Sequence, residues 1–316
     1  MLSLLAAAAA TTATGEPAPI QWVELGLTEG IDLGFFTLRW YSLAYLAGIV
    51  LGYWHLTRMV KAPGAPLAQR HAEDLFFYCT LGIILGGRLG YAMFYKPGLF
   101  VGFDGDGFVS WELLRLWDGG MSFHGGVLGV LVAITWVCWR GELKFLRIAD
   151  YIAVCVPFGM LFGRLANFVN GELWGRGPTE VPWAMEFCDV RYTPGVECMT
   201  SGIARHPSQL YQAGLEGLAM IVVMLLLFWM TRARYRPGLL VGVFTFGMGL
   251  ARFVNEFFRQ PDAHLQWVVE DYGLSMGQWL TIPMLLVGLF FVFRALRRPE
   301  LASGKAAPAK GEPAPE

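Results

Sequence analysis

What most constrains this chain is a succession of apolar segments, each about 20 residues long, the length a helix needs to cross a hydrocarbon core roughly 30 Å thick. They run near residues 36–57, 74–95, 121–139, 148–170, 207–230, 238–258 and 275–293. Hydrophobic residues make up 55% of the 316 and charged residues only 16%, so the runs exceed what one soluble core would absorb. Inside a bilayer the backbone must satisfy itself, and uninterrupted apolar runs of this length do so as helices. The expected fold is all-α: a polytopic membrane protein with about seven transmembrane helices and a small head on its outer face. The formal net charge of −1 says nothing about a nucleic-acid partner, and none is expected; what carries information is where the charges lie.

If the first span runs from outside to inside, the inner loops collect Arg58, Lys61 and Arg70; Arg140, Lys144 and Arg147; Arg232, Arg234 and Arg236; and Arg294, Arg297, Arg298, Lys305 and Lys310. Those are fourteen of the 24 Lys and Arg; six lie outside (Lys96, Arg115, Arg176, Arg191, Arg205, Arg259) and four within spans (Arg39, Arg88, Arg164, Arg252). The positive-inside rule then puts the amino terminus outside and the carboxyl terminus in the cytoplasm. Residues 1–33 read as a disordered leader and outer segment, 34–298 as the membrane domain, and 299–316 as a solvated tail rich in Pro, Ala and charge. The opening MLSLLAAAAATTATG lacks the basic start of a signal peptide. Pro178, Pro182 and Pro194 interrupt the segment 171–206 and Pro207 follows it, so no continuous helix is expected there and it reads as the outer head.

Cys79, Cys138 and Cys155 fall in spans and are expected to pack as small apolar residues. Cys188 and Cys198 share the outer head, where an oxidising medium would permit a disulfide; paired and free states are both open. Glycine pairs at four-residue spacing, Gly48/Gly52, Gly82/Gly86, Gly125/Gly129, Gly159/Gly163 and Gly238/Gly242, predict close helix packing.

Polar residues inside the spans need a reason, because a cation at mid-membrane costs about 2.5–3.5 kcal/mol on insertion scales. Arg39 sits near a span end and could snorkel. In GRLANFVNGELWGR, Arg164, Asn167 and Asn170 recur at three-residue steps, one helical face rising towards Glu172. In ARFVNEFFRQPD, Arg252 and Glu256 are spaced as a helical ion pair, which leaves Arg259 over. His124 stands among glycines in WDGGMSFHGG at the outer end of its span. In RHPSQLYQAGLEG, Ser208 after proline reads as a helix N-cap. GLSMG around Ser275 has the spacing of a serine-hydrolase elbow, but without the strand that elbow requires. Arginine forks bind phosphate oxygens bidentately, so arginines, amides, a histidine and carboxylates at one depth fit a phospholipid headgroup.

These four motifs, GRLANFVNGELWGR, WDGGMSFHGG, RHPSQLYQAGLEG and EFFRQPD, closely resemble those of the prolipoprotein diacylglyceryl transferases, from about Trp40 to Arg298. The resemblance implies a bacterial inner-membrane enzyme with a periplasmic head. Such an enzyme moves the diacylglyceryl group of phosphatidylglycerol to the lipobox cysteine of a prolipoprotein signal peptide and releases glycerol phosphate. No metal or organic cofactor is implied. By motif, Arg164 and Arg252 would be essential, with His124, Asn167, Glu172, Glu256 and Arg259 supporting; Asn170 joins the lipid-binding set by its place on the Arg164 face. Two positions depart from the family pattern: Ala166 replaces a usual glycine, and Met248 stands where many members carry tyrosine. His124 would take the proton of the attacking thiol, and the arginines would stabilise the leaving phosphate. A lipid transporter is a rival reading, disfavoured by the lack of an internal repeat. A scaffold leaves the polar stripes unexplained, and an intramembrane protease lacks its nucleophile.

Overall fold

With no water in the hydrocarbon layer, each backbone N–H in an apolar run pairs within its own segment, and the runs become helices. The computed structural model describes residues 18–28, 30–34, 37–99, 111–115, 120–188, 202–260 and 266–301. Among them lie helices α1 (Trp40–Val60), α2 (Gln69–Phe94), α3 (Phe123–Arg140), α4 (Phe145–Val169), α5 (Ser208–Met230), α6 (Leu239–Asn255), α7 (Gln266–Tyr272) and α8 (Met276–Leu296). Five of these, α2, α3, α4, α5 and α8, are long and apolar enough to cross a membrane. The apolar helix α6 has 17 residues. In the 21-residue α1, tyrosines, tryptophans, His55 and Arg58 dilute the hydropathy.

These helices end where charge or turn chemistry begins: Arg58, Arg140 and Arg294 occupy the last turns of α1, α3 and α8. Basic side chains there complement the carbonyl end of the helix. Leu128 and Val132 on α3, Leu218 and Leu226 on α5, and Leu286 and Phe290 on α8 are exposed, as suits a lipid-facing surface.

Two expectations change. The first span was expected from residue 36, but Thr37–Arg39 form strand β3, paired antiparallel with β2 (Gly30–Asp32). Arg39 is therefore an exposed strand residue ahead of α1, outside any span. Helices are also not the only elements: β1 (Ile20–Gln21) pairs in parallel with β4 (Met185–Glu186). Outside the apolar runs, short strands satisfy the backbone across the chain.

One compact unit draws on Ala153–Glu300 and the chain up to Gly52; another draws on Tyr53–Ile152. In the latter, α2 and α3 pack through glycines. A Cβ on Gly82, Gly86, Gly125 or Gly129 would collide with a facing backbone carbonyl. Arg88 of α2 is buried, and its guanidinium donates to the carbonyls of Leu113 (3.0 Å) and Gly120 (3.2 Å). Gly125→Ala is expected to cost about 1–3 kcal/mol by overpacking. At Gly126, one residue on, an added Cβ would lie 3.8 Å from the Ile83 carbonyl, and alanine should gain up to about 1 kcal/mol of helix propensity. Thermal unfolding in detergent separates the two variants; equal melting temperatures would refute the backbone-contact argument.

In the other unit, a Cβ on Gly48 would lie 2.6 Å from Gly159 Cα, so α1 and α4 touch backbone to backbone. Gly217 of α5 approaches Leu161 of α4 as closely, and Gly247 of α6 faces Met220 of α5. Above them, Ile20, Trp22, Met185, Phe187 and Cys188 form a small core. Trp22 Nε1 donates to the Phe168 carbonyl at 3.0 Å, capping the end of α4. Cys188 is disulfide-bonded; Cys198 lies outside the described residues, as do 1–17 of the expected leader and 302–316 of the expected tail.

Candidate active site

The site grows from three helix ends in the unit that holds α4, α5, α6 and α8. α4 delivers Arg164 and Asn167 in its last turns, then stops at Gly171, whose φ of +62° is a left-handed value that favours glycine. A side chain at Gly171 would also press on the Trp22 ring. Asn167 Nδ2 donates to Glu172 Oε1 at 2.9 Å across that turn. Asn170 does not join them: it is half-buried at the turn, and among the described residues its side chain makes no hydrogen bond.

Arg164 reaches a residue that the stripe argument missed. Its Nε and Nη2 both lie 3.1 Å from Glu216 Oε2, and the Glu216 side chain is 1% exposed. Glu216 sits in a π-helical stretch of α5, Ala213–Ala219. Such stretches add a residue to the turn and re-aim side chains, and they recur at functional sites. The signal was present in QAGLEGLAMIVV, since a carboxylate within an apolar run demands a partner as much as an arginine does.

From α6, Arg252 Nη2 meets Glu256 Oε1 at 2.8 Å, the expected helical pair, and Arg252 Nη1 stands 4.0 Å from Glu216 Oε1. Arg259 is not left over, because its Nη1 lies 3.3 Å from Glu256 Oε1. Ser275 Oγ donates to Glu256 Oε2 at 3.0 Å and accepts from the Gln278 backbone at 3.1 Å, starting α8 with a capping box. GLSMG is thus a helix cap that holds a carboxylate. A Cβ on Gly277 would fall 2.5 Å from Glu256 Cδ, so this glycine makes room for the acid.

Ser208 is likewise reassigned. Pro207 is the N-cap of α5, and Ser208, the first helical residue, donates its hydroxyl to the Leu173 carbonyl at 3.0 Å. Gln209 Nε2 donates to the Glu172 carbonyl at 2.7 Å, and Arg176 Nε to the Arg259 carbonyl at 2.9 Å. Gly175 threads between His206 and Phe258, whose carbonyls leave no room for a side chain. His206 Nδ1 lies 3.1 Å from the Tyr211 hydroxyl, which accepts from Trp183 Nε1 at 2.6 Å. Burial holds His206 below the usual histidine range.

Electrostatically, three guanidiniums (Arg164, Arg252, Arg259) face two carboxylates (Glu216, Glu256), leaving one positive charge. Adding Arg176 and Glu172 leaves that balance unchanged. The acids are 1% and 2% exposed and the three arginines 16–26%. Buried acids thus anchor arginines whose outer surfaces remain open to an anion. His124 belongs to the other unit, where it lies exposed in the first turn of α3 behind the N-cap Ser122, its ring edge-on to Phe123.

The family model described as prolipoprotein diacylglyceryl transferase matches residues 29–294. A phosphatidylglycerol–prolipoprotein diacylglyceryl transferase of Erythrobacter litoralis is 65% identical over 280 residues, which is 89% of this chain and 93% of that protein. The protein of the same name from Zymomonas mobilis is 45% identical over 289 residues, 88% of this chain and 94% of its own. That from Ruegeria pomeroyi is 47% identical over 278 residues, 82% and 90% respectively. With a polar cluster of net positive charge set among apolar helices, and matches of this extent, the chain belongs to the prolipoprotein diacylglyceryl transferase family.

Proposed function

We infer that this chain transfers the diacylglyceryl group of phosphatidylglycerol to the thiol of the lipobox cysteine in a prolipoprotein signal peptide. The observation that carries the reading is the pair Arg164 and Arg252, both held by Glu216 and both partly open. In this reading the two forks grip the lipid phosphate, while Glu256 orients Arg252 and Arg259. Asn167 and Glu172 line the same lipid-binding site as a hydrogen-bonded pair, and Asn170, outside that pair, meets the lipid from the turn after α4. His124 takes the thiol proton. The thiolate sulfur bonds to the glyceryl carbon bearing the phosphate, and that C–O bond breaks with its electron pair on oxygen. The products are a thioether and glycerol phosphate. The arginines stabilise the charge that develops on the leaving oxygen, an effect strongest where water is excluded. The nucleophile arrives with the substrate, so no enzyme adduct is needed.

The wider reading is a seven-pass protein of the bacterial inner membrane, with a periplasmic head near 171–206, amino terminus outside and carboxyl terminus in the cytoplasm. The surplus of basic residues at one set of helix ends supports it. Both substrates live in the bilayer and would enter laterally between helices.

The test mixes purified protein, phosphatidylglycerol and a lipobox peptide, with mass spectrometry of the peptide. A diacylglyceryl mass on the cysteine, stable to hydroxylamine as a thioether is, supports transfer. Lipid binding with no adduct would favour a lipid transporter, and a trapped enzyme–lipid adduct would overturn direct displacement.

A further inference from the structure

Buried polar atoms in a membrane protein almost always find hydrogen-bond partners, since an unpaired one has no water to turn to. Here a group of them has none. Gln209 Oε1, Gln212 Nε2, Glu216 Oε1 and both amide atoms of Asn255 are buried with no hydrogen-bond partner among the described residues. All four side chains belong to residues 0–1% exposed. Glu216 Oε1 has Arg252 Nη1 near it, but at 4.0 Å, beyond hydrogen-bond reach.

These residues share one place in the fold. Gln209, Gln212 and Glu216 recur along α5 at steps of three and four residues. Asn255 ends α6. Two contacts fix the level of α5 against α6: Met220 faces Gly247, and Glu216 faces Arg252. Because the residue numbers run in opposite directions, Gln212, one turn before Glu216, falls at the level of Asn255 and Glu256. A layer of neutral amides therefore sits one turn from the arginines.

The chemistry of the open atoms selects the ligand. Three are oxygens, from Gln209, Glu216 and Asn255, and would repel phosphate oxygens. They ask for donors. Two are amide nitrogens, from Gln212 and Asn255, and ask for acceptors. A hydroxyl group is both. We propose that Gln209, Gln212, Glu216 and Asn255 form a subsite for the two free hydroxyls of the glycerol headgroup, beside the arginines that hold its phosphate. This rests on the phosphatidylglycerol reading above and deepens it, naming what in the chain selects this lipid. The distances suit Gln212 and Asn255: the headgroup hydroxyls lie roughly 4–6 Å from phosphorus, close to the about 5.4 Å rise of one helical turn, and Gln209, a further turn along α5, closes the far end of the subsite.

The test compares phosphatidylglycerol with phosphatidylpropanol of the same acyl chains, which keeps the phosphodiester charge and lacks both hydroxyls. Binding of each to the purified full chain is measured by native mass spectrometry, independently of transfer. Wild type should prefer phosphatidylglycerol about tenfold or more, because the analogue leaves several buried groups unpaired. In Gln212→Met and Asn255→Leu, which keep most of the volume, the preference should fall to about threefold or less. Binding of the hydroxyl-free analogue reports that each variant is folded. Equal binding of the two lipids by wild type overturns the subsite, whatever the variants do. A wild-type preference that survives both substitutions overturns it too, assigning those amides to internal water. Preferential binding without transfer to peptide would spare the subsite and instead refute the transferase reading.

Discussion

Arg164→Ala should lower diacylglyceryl transfer about a thousandfold or more, with the protein still folded in the membrane. Removing one preorganised donor to a developing oxyanion typically costs about 10²–10³ in rate. Arg164 supplies a whole fork, so the upper end or beyond is expected. Losing it also leaves Glu216 with Arg252 alone at 4.0 Å, an uncompensated carboxylate next to the phosphate. Arg164→Lys should restore little, because an ammonium cannot offer Glu216 two nitrogens and still face the lipid. Arg259→Ala is the milder comparison, since Glu256 keeps Arg252 at 2.8 Å and Ser275 at 3.0 Å. The measurement is the initial rate of peptide lipidation by mass spectrometry. Arg164→Ala within tenfold of wild type would remove this arginine from the chemistry.

Glu216→Gln should be the most destabilising conservative change in the site. The acid is 1% exposed and touches Arg164 at 3.1 Å. Removing one partner of a buried pair costs about 3–5 kcal/mol, because the other charge stays buried without compensation. Here two guanidiniums lose their shared counter-ion, so they repel and splay, and transfer should fall at least a hundredfold. An added anion has the opposite effect. Phosphatidylglycerol supplies the missing negative charge, so it should raise the melting temperature of Glu216→Gln more than that of wild type, by linkage. The check is thermal unfolding in detergent with and without the lipid. An unchanged melting temperature, or an equal lipid-induced rise in both proteins, would show that Glu216 does not hold the two arginines together.

Both predictions turn on a residue that the stripe argument passed over, which shows where local reasoning ends. Arg252–Glu256 was legible because an i, i+4 spacing on a helix brings two side chains together whatever surrounds them. Asn167–Glu172 is local too, but its i, i+5 spacing depends on the left-handed turn at Gly171 that ends α4. Arg164–Glu216 spans 52 positions, and no spacing rule connects them. It exists because glycines at 48 and 217 let α1 and α5 approach the backbone of α4. Arg259 looked unpaired from its own helix, since Glu256 was already assigned to Arg252. In the folded chain one carboxylate holds both arginines and a serine from α8.

What the sequence determined by itself was the medium and the elements. Runs of about 20 apolar residues must bury their backbone bonds inside helices in a bilayer. Each expected run therefore has a helix whose ends lie within about five residues of it, α1 starting later because Thr37–Arg39 pair as a strand, while the short α7 was not expected. Glycine spacing marked the α2–α3 contact face, Gly48 and Gly242 in advance, because close approach needs residues without side chains, whereas Gly159 and Gly163 face open space and Gly238 is a left-handed cap ahead of α6. Tertiary structure decided which acid serves which arginine, and that Ser275 caps a helix and holds Glu256. It also brought Ile20–Gln21 to Met185–Glu186 across 165 positions. Those choices depend on how helices are levelled against one another. That levelling is set by the summed packing of every contact face, not by any short stretch of chain.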